Sequence, residues 1–482
     1  MLKIHNSLTR KIEGFKPVKQ GEAGVYVCGP TVYDYVSIGN WRTYLLGDIL
    51  VRILRYFGFQ VKYMMNITDV GHLTGDNFGD PDQGDDRMEK AASREKKTAW
   101  QIAHFYSQDF FKGYRLLNLT RPEKFVKATE HIREQIELVR RIEKRGFTYQ
   151  ISDGIYFDIR AWEKAGHQYG QLSTLDKIRT GVRVKDNPEK KDPRDFALWK
   201  FSPKKGTRQM EWDSPWGRGF PGWHIECSAM SMKYLGDQFD FHLGGEDLRS
   251  THHPNEIAQS EAATGKEPFV KYWLHGAFLK VDGRRMGKSL GNVYTLHDLE
   301  AKGFEPLALR YFYLTGHYRK PLNFTWKALK SSQKALAKLR SYCQATIVGQ
   351  QLDRGEAEEK KKFQKKIEKA IANDLNMPEA LAVVWEMVKS DLSNRVKWEL
   401  LKDWDRVLGL NLRARREEQR EKRKIEDIKD QELKKLLLKR EELRKKKQWA
   451  EADKIRRKVE KEHPGLKVID KAKGVVVEFS QF

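Results

Sequence analysis

The sequence predicts an α/β protein in which helices cover a parallel β-sheet, followed by an α-helical C-terminal region. An apolar run at residues 25–28 ends at Gly29-Pro30, apolar residues recur at helical spacing over residues 46–57, and a second apolar run covers residues 61–67. A strand, a helix and a strand in succession pair as parallel neighbours. Helical spacing dominates beyond residue 323. Ligands bind at the carboxyl ends of parallel strands, so the sequence directs attention to residues 28–40 and 66–69.

The remaining elements follow in chain order. Periodic apolar residues predict helices over 98–117 and 123–144, and a polar stretch at 185–194 reads as a connection inside an inserted module. Residues 239–242 predict a strand that ends at Gly244-Gly245. Residues 278–281 precede Asp282-Gly283, which predicts a hairpin. Between 413 and 462 a narrow apolar stripe predicts short antiparallel helices rather than a long coiled coil.

The length, charge and apolar content of the chain limit the classes of function that it can have. The 482 residues include 91 Lys and Arg against 67 Asp and Glu, a formal net charge of +24. This excess favours a polyanion such as nucleic acid as partner, with an anionic membrane as the second candidate. The chain is too long for a small single-domain binding module, and no apolar run reaches the roughly 20 residues that span a bilayer.

The N-terminus and the cysteines indicate the compartment. Residues 1–16 are polar and mixed in charge, unlike a signal peptide, so we expect a cytoplasmic protein that makes no membrane contact. Three widely spaced cysteines, Cys28, Cys227 and Cys343, form no disulfide framework. We expect reduced thiols, any of which is a possible metal ligand.

One helical turn offers an imidazole and a carboxylate side by side. Pro254 suits a first helical turn, and His252 and Glu256 stand four residues apart. Together with Cys28 at a strand end and Cys227 in the same domain, they make a possible Cys, Cys, His, Glu zinc site. Without further context an ordinary surface pair and two small core cysteines explain the same residues.

Three further segments have the chemistry of a nucleotide site. Residues 31–42 join the first strand to its helix, where backbone N–H groups and the helix dipole attract anions. The basic loop 285–289 can place the Lys288 ammonium on phosphate oxygens, although such a loop is also typical of a solvated turn. Gly244 and Gly245 permit close backbone approach, and the carboxylate of Asp247 suits sugar hydroxyls.

The order of these segments carries a resemblance to a known family. The matching segments are residues 26–34, 66–70, 195–200, 221–228, 244–248, 252–253, 255–262 and 288–292. Over nearly its whole length the chain resembles the class I aminoacyl-tRNA synthetases, and specifically the cysteinyl-tRNA synthetases. That family activates L-cysteine with ATP and Mg²⁺ to cysteinyl-adenylate, then transfers cysteine to the 3′ end of tRNA(Cys). The resemblance implies a Rossmann-like catalytic domain with an inserted connective module, an α-helical C-terminal tRNA-binding region and a small terminal subdomain.

The resemblance also implies roles for individual residues. The implied zinc ligands, for one ion per chain, are Cys28, Cys227, His252 and Glu256. The implied catalytic residues are Lys288, Ser37 and Asn40. The implied ATP-binding residues are Ser37, Ile38, Gly39, Asn40, Gly245, Asp247, Arg285, Met286, Gly287, Lys288 and Ser289. The implied cysteine-binding residues are Gly29, Thr68 and Trp223. We expect a monomer with tRNA(Cys), L-cysteine and ATP as its partners.

The same resemblance implies six parts of the chain. They are the first half of the catalytic domain (1–119), the connective insertion (120–212), the second half of the catalytic domain (213–272), a stem-contact region with the 285–289 loop (273–322), an anticodon-binding helical bundle (323–410) and a basic C-terminal subdomain (411–482).

A metal is chemically reasonable in such an enzyme. Cysteine and serine differ by one atom, and a steric pocket discriminates so small a change by only about 1–3 kcal/mol. Zinc favours a soft thiolate over a hydroxyl and lowers the pKa of the thiol, so it supplies the missing selectivity.

The sequence departs from the family at the nucleotide segments. Ser37 stands where the family usually has His, and the lysine loop has Arg285 for Lys and Gly287 for Ser. Two alternatives follow: an inactive synthetase-like RNA-binding protein, and a cysteine ligase of the mycothiol pathway that passes cysteine to an amino sugar. The latter lacks the long C-terminal region. The basic C-terminal stripe is either a tRNA contact or a solvated helix face.

Overall fold

The computed structural model describes residues 1–71, 86–173, 187–202, 208–344, 354–412, 421–425, 428, 430–446, 448–462, 466–471 and 474–479. The strands, in chain order, are β1 (Lys3–Asn6), β2 (Lys11–Gly14), β3 (Glu22–Val27), β4 (Gln60–Ile67), β5 (Lys124–Lys127), β6 (Thr148–Ile151), β7 (Gly154–Phe157), β8 (Ala197–Phe201), β9 (Gly219–Pro221), β10 (Phe239–Gly245), β11 (Val270–Gly276), β12 (Leu279–Val281), β13 (Arg284–Arg285), β14 (Leu322–Phe324), β15 (Glu421–Lys424), β16 (Leu466–Lys471) and β17 (Gly474–Phe479).

Helices account for most of the remaining described chain. They are α1 (Ile38–Tyr56), α2 (Arg87–Glu95), α3 (Ala99–Leu116), α4 (Ile132–Lys144), α5 (Ile159–Lys164), α6 (Trp223–Leu235), α7 (His252–Thr264), α8 (Leu296–Ala301), α9 (Pro306–Leu314), α10 (Trp326–Gln344), α11 (Arg354–Ala372), α12 (Met377–Lys389), α13 (Asn394–Leu408), α14 (Gln431–Lys445) and α15 (Trp449–Glu462). None of the helices in the described ranges is long and apolar enough to cross a bilayer.

A five-stranded parallel sheet forms the centre of the N-terminal part. Its order is β11-β10-β3-β4-β5, and every neighbouring pair runs parallel. The predicted strand, helix, strand unit is confirmed as β3, α1 and β4. The sequence order of the strands reverses between β3 and β10, so their carboxyl ends open a crevice of the kind that binds ligands in this fold class.

Local sequence signals explain the helix that leaves this crevice. Ser37 has an extended backbone, and its hydroxyl caps the first turn of α1 by accepting the N–H of Asn40. Apolar residues of α1 are buried against the sheet. The helix ends before Gly58, whose φ of +88° suits a residue without a Cβ.

One predicted helix is wrong in its first half. Helical spacing predicted a helix over 123–144, whereas the structure has the edge strand β5, a 3₁₀ turn at Ala128–His131 and only then α4. Phe125 and Val126 pair with Met65 and Asn66 of β4. Strand pairing and the aromatic packing of Phe125 therefore override the helical spacing at this edge.

Smaller sheets complete the described chain. An antiparallel sheet β6-β7-β8-β9 lies between the two halves of the parallel sheet in sequence, and the predicted hairpin is confirmed as β12 and β13. The C-terminal helices are short, as predicted. The sequence analysis missed the antiparallel sheet β15-β17-β16 that accompanies them.

The chain folds as two compact units. The first comprises residues 1–338 and 347–410 and contains the parallel sheet and the helices α11 to α13. The second comprises residues 339–346 and 411–482. In the second unit α14, α15 and the sheet enclose a small apolar core, which includes Leu433, Leu437, Val459 and Leu466.

Candidate functional site

Three elements bring the four predicted metal ligands together at the crevice. Cys28 directly follows β3, where its N–H donates to the carbonyl of Leu243 on β10 at 2.9 Å. Cys227 lies on α6, and His252 and Glu256 lie one turn apart on α7. Their ligand atoms all lie within 4.8 Å of one another, and all four residues are buried.

The donor set fits a zinc ion. Two thiols, one imidazole and one carboxylate are the ligand types that zinc prefers. Glu256 Oε1 lies 3.0 Å from His252 Nε2, yet it accepts no hydrogen bond of normal geometry from the described residues. A fully buried carboxylate oxygen in that state is costly unless a cation satisfies it.

Electrostatics in the cluster follow from burial and proximity. Burial raises the pKa of the Cys28 thiol well above its ordinary value, whereas the hydrogen bond from Cys28 lowers the pKa of Cys227. Burial opposes the charged form of His252, but Glu256 and Cys227 outweigh it and raise the pKa to about 10. A divalent cation displaces such protons when it binds, which couples its affinity to pH.

Three more histidines contact the cluster. His224 Nδ1 lies 3.0 Å from His252 Nδ1, His242 Nε2 lies 2.8 Å from Glu256 Oε2, and His253 Nε2 lies 3.5 Å from Cys28 Sγ. Cys28, His242, His253 and Glu256 also form a second set with converging ligand atoms. From the sequence His242 was predicted only as a strand residue, because its contact with Glu256 depends on how β10 packs against α7.

The predicted cysteine-binding residues lie beside the thiols. The N–H of Gly29 donates to Asn66 Oδ1 at 2.8 Å, and a Cβ on Gly29 would lie only 1.8 Å from the carbonyl oxygen of Asn66. Only glycine fits there. Thr68 Oγ1 donates to Glu226 Oε2 at 3.2 Å, and the Trp223 ring lies 4.4 Å from that of His252.

The predicted phosphate segments meet at the N-terminus of α1. A Cβ on Gly39 would lie 3.4 Å from Met286 Sδ, so the helix start and the lysine loop are in contact. The N–H of Ile38 donates to the carbonyl of Tyr294 at 2.8 Å. The first turn of α1 carries no acidic residue, which leaves the positive end of its dipole uncompensated by side chains of that turn.

The side chains predicted to bind ATP differ in their contacts and in their exposure. The Ser37 hydroxyl accepts the N–H of Asn40 and donates to its side-chain oxygen, so the two side chains hold each other. Lys288 begins a 3₁₀ turn, and its side chain lies outside the described part of the structure. Asp247 is exposed, and the Cβ that Gly245 lacks would lie 2.2 Å from Asp247 Oδ1.

Comparison with known proteins assigns the family. A family model described as the tRNA synthetases class I (C) catalytic domain matches residues 14–334. A cysteine–tRNA ligase 1 from Burkholderia lata is 43% identical over 476 residues, which cover 98% of this chain and 96% of that protein. The chain belongs to the cysteinyl-tRNA synthetase family. It is therefore an ATP-dependent ligase of class I.

Other members of the cysteinyl-tRNA synthetase family match at similar identity. A cysteine–tRNA ligase from Treponema denticola is 41% identical over 480 residues, 95% of this chain and 96% of that protein. One from Chlorobaculum tepidum is 43% identical over 393 residues, 81% of this chain and 78% of that protein. At 98% and 95% of this chain, the first two alignments reach into the C-terminal unit.

Solved structures agree on the fold of this synthetase. Methionyl-tRNA synthetase from Mycobacterium tuberculosis, in complex with methionyl-adenylate, aligns with a TM-score of 0.53 at 14% identity, over 80% of this chain and 89% of that chain. At this identity the match shows the Rossmann-like class I fold, as predicted from the sequence.

Proposed function

We propose that this protein is a cysteinyl-tRNA synthetase that selects L-cysteine through a zinc ion held by Cys28, Cys227, His252 and Glu256. One observation carries the proposal. Two thiols, an imidazole and a carboxylate from three separate elements converge in a buried cluster at the carboxyl ends of the sheet. A metal bound by such a donor set would favour a thiolate over a hydroxyl ligand, which is the distinction that selection of cysteine over serine requires.

The bound ion would supply selectivity for sulfur. As a soft acid it favours the substrate thiolate over the serine hydroxyl and lowers the pKa of the thiol. The protein contributes the shape of the pocket through Gly29, Thr68 and Trp223, which lie beside the ligands. The contacts of His224, His242 and His253 hold the ligand side chains in their orientations.

The first chemical step forms cysteinyl-adenylate. An oxygen of the cysteine carboxylate attacks the α-phosphate of ATP, a new P–O bond forms, and the bond to the β-phosphate bridging oxygen breaks to release pyrophosphate. The N-terminus of α1, from Ser37 to Asn40, and the loop 285–289 with Lys288 stabilise the charge that develops on the phosphates, together with Mg²⁺. Gly245 and Asp247 are suited to the ribose.

The second step transfers cysteine to RNA. A ribose hydroxyl at the 3′ end of tRNA(Cys) attacks the carbonyl carbon of the adenylate, and AMP leaves. Both steps depend on positioning and charge stabilisation, so the protein needs no covalent nucleophile.

Charge and architecture support the RNA partner. The net charge of +24 favours a polyanion. We assign the anticodon-binding role to the bundle 323–410, the stem contact to 273–322 and further RNA contact to the basic region 411–482. The catalytic domain comprises 1–119 and 213–272, with the insertion 120–212 between its halves. We propose a cytoplasmic monomer.

Two alternatives remain distinguishable. The mycothiol-pathway ligase lacks a long C-terminal region, whereas the alignments of this chain with two cysteine–tRNA ligases cover 98% and 95% of it and so reach into its C-terminal unit. An inactive RNA-binding protein is suggested by Ser37 but does not explain the converging metal ligands. Cysteine-dependent ATP–pyrophosphate exchange followed by charging of a tRNA(Cys) transcript selects the synthetase. RNA binding without AMP formation would overturn it.

The unusual Ser37 leads to a first prediction. We expect the protein to catalyse cysteine-dependent ATP–pyrophosphate exchange, at a rate about tenfold below that of a Ser37→His variant. The reason is that the serine hydroxyl is turned towards Asn40, whereas an imidazolium at this position can donate a charged hydrogen bond to phosphate. The exposed Ser331 provides the matched control, since Ser331→His leaves the rate unchanged. Zero exchange in zinc-replete protein contradicts the prediction.

A further inference from the structure

The middle of helix α1 carries a buried ion cluster that the proposed mechanism does not use. Arg310 of α9 donates from Nη2 to Asp48 Oδ2 at 2.5 Å, and both side chains are fully buried. Arg52, one turn further along α1, donates to Asp48 Oδ1 at 2.8 Å. Burial opposes ionisation of Asp48, but the two guanidinium groups outweigh it and lower its pKa to about 2.

The side chains of the cluster donate hydrogen bonds to backbone carbonyls at the end of α13. Arg310 Nε donates to the carbonyl of Leu408 at 2.7 Å, and Arg52 Nη1 donates to the carbonyl of Arg406 at 3.0 Å. Asn118 Nδ2 donates to the carbonyl of Gly409 at 2.8 Å. The side chains of Arg310, Arg52 and Asn118 therefore hold three carbonyl groups within the last turn of α13, at the point where the first unit ends.

The contact at this point is close and specific. Gly409 has a φ of +62°, and a Cβ there would lie 2.3 Å from Arg310 Nη2. Arg310 also donates from Nη1 to the carbonyls of Leu117 and Asn118, both at 3.1 Å. All three nitrogens of the Arg310 guanidinium thus donate hydrogen bonds, Nε and Nη1 to backbone carbonyls and Nη2 to Asp48. The chain continues beyond Leu410 directly into the second unit.

Energetics argue that stability alone does not explain the cluster. Desolvating a carboxylate and a guanidinium is expensive, and apolar residues of similar volume are often as stable or more stable in such places. What the charged cluster adds is a single register between α1 and the last turn of α13. Conformational specificity is the best-supported use of buried ion pairs of this kind.

The phosphate end of α1 has independent support. Arg42 in the first turns of α1 donates to the carbonyls of Ala277 and Phe278 of the hairpin region and to those of His317 and Lys320. The start of the helix therefore keeps its position near the lysine loop even when the Arg310 cluster is disturbed. The first half of α1, from Ile38 to Asp48 and about 15 Å long, then connects the cluster to the phosphate site.

We propose that Arg310 is a positioning residue: by fixing α1 to the last turn of α13, it holds the helical bundle 323–410 in one register with the catalytic domain, so that RNA bound by the bundle presents its 3′ end correctly for aminoacyl transfer. This inference rests on the proposed function. Loss of the link should impair the RNA-dependent step and spare adenylate formation, because Arg42 holds the start of α1 separately.

Arg310→Lys tests the proposal by keeping the charge opposite Asp48 and removing the planar fork. We expect the kcat of tRNA(Cys) charging to fall about tenfold, a typical size for coupling between sites, with the KM for tRNA and the rate of tRNA-free ATP–pyrophosphate exchange within twofold of the unaltered protein. Parallel loss of both activities with a lowered melting temperature would show a merely structural role and overturn the proposal. Unchanged charging would overturn it as well.

A second variant guards against misfolding of the first. Asn118→Asp keeps a residue type that tolerates the left-handed backbone at φ +50° but replaces the donor to the Gly409 carbonyl with a carboxylate. The same loss of charging without loss of exchange is expected. Asn411→Asp is the matched control, since Asn411 is exposed and has a φ of +51°. If the unaltered protein shows no cysteine-dependent exchange, the proposed function fails; if it exchanges and charges normally but the variants do not separate the two steps, only the inference fails.

Discussion

Replacing Cys227 by Ser is expected to remove the zinc ion and to lower cysteine-dependent ATP–pyrophosphate exchange by more than about 100-fold. Loss of a residue that merely supports a metal ligand typically costs 10- to 100-fold, and loss of a ligand itself costs more. The substitution changes the volume of the buried side chain very little, so the fold should persist. Metal content by mass spectrometry and the exchange rate measure the two effects.

The control for this variant is Cys343→Ser. Cys343 lies half-buried on α10, outside both converging donor sets. The control should retain the metal and the full exchange rate. Retention of both by Cys227→Ser itself would contradict the assignment of Cys227 as a ligand.

Replacing Lys288 by Ala is expected to slow adenylate formation by about 100- to 1,000-fold. A preorganised cation that stabilises charge developing on phosphate contributes effects of this size when it is removed. The KM for cysteine should change little, since Lys288 belongs to the loop against the N-terminus of α1 and the proposed cysteine pocket lies at the carboxyl end of β3. Single-turnover measurement of adenylate formation separates the rate from binding.

The neighbouring hairpin supplies a control for the lysine variant. Lys280 is exposed on β12 and pairs across the hairpin with Arg285. Lys280→Ala removes the same charge from the same region and should leave the rate within about twofold. An equal loss in both variants would indicate a general effect of positive charge rather than a specific contact of Lys288.

The sequence predicted the elements that carry strong periodic signals. The apolar spacing of residues 46–57 located α1, and the alternation of apolar runs with helices predicted the parallel sheet. β5 was assigned to a helix because Phe125 and Val126 also fit a helical pattern, and only pairing with β4 decides between the two. β16 and β17 were missed, although the β-branched run at 475–477 was a usable strand signal.

The candidate site also contains some contacts that the sequence predicted and others that it did not. Helical spacing brought His252 and Glu256 together and residue chemistry added Cys28 and Cys227 as possible ligands, but only the resemblance favoured a zinc site over an ordinary surface pair and two core cysteines. The contact of His242 with Glu256 joins a strand to a helix, and that of Arg310 with Asp48 joins residues 262 positions apart. No periodicity connects such pairs, so only the folded chain reveals them.

The central claim is that a metal held by Cys28 and Cys227 discriminates sulfur from oxygen. The most direct measurement combines zinc analysis of reduced protein with kcat/KM for cysteine and serine in ATP–pyrophosphate exchange. The account predicts one zinc ion per chain and a preference for cysteine far above the roughly 10- to 200-fold that a steric pocket supplies. Protein that holds no zinc and activates serine within that range would contradict it.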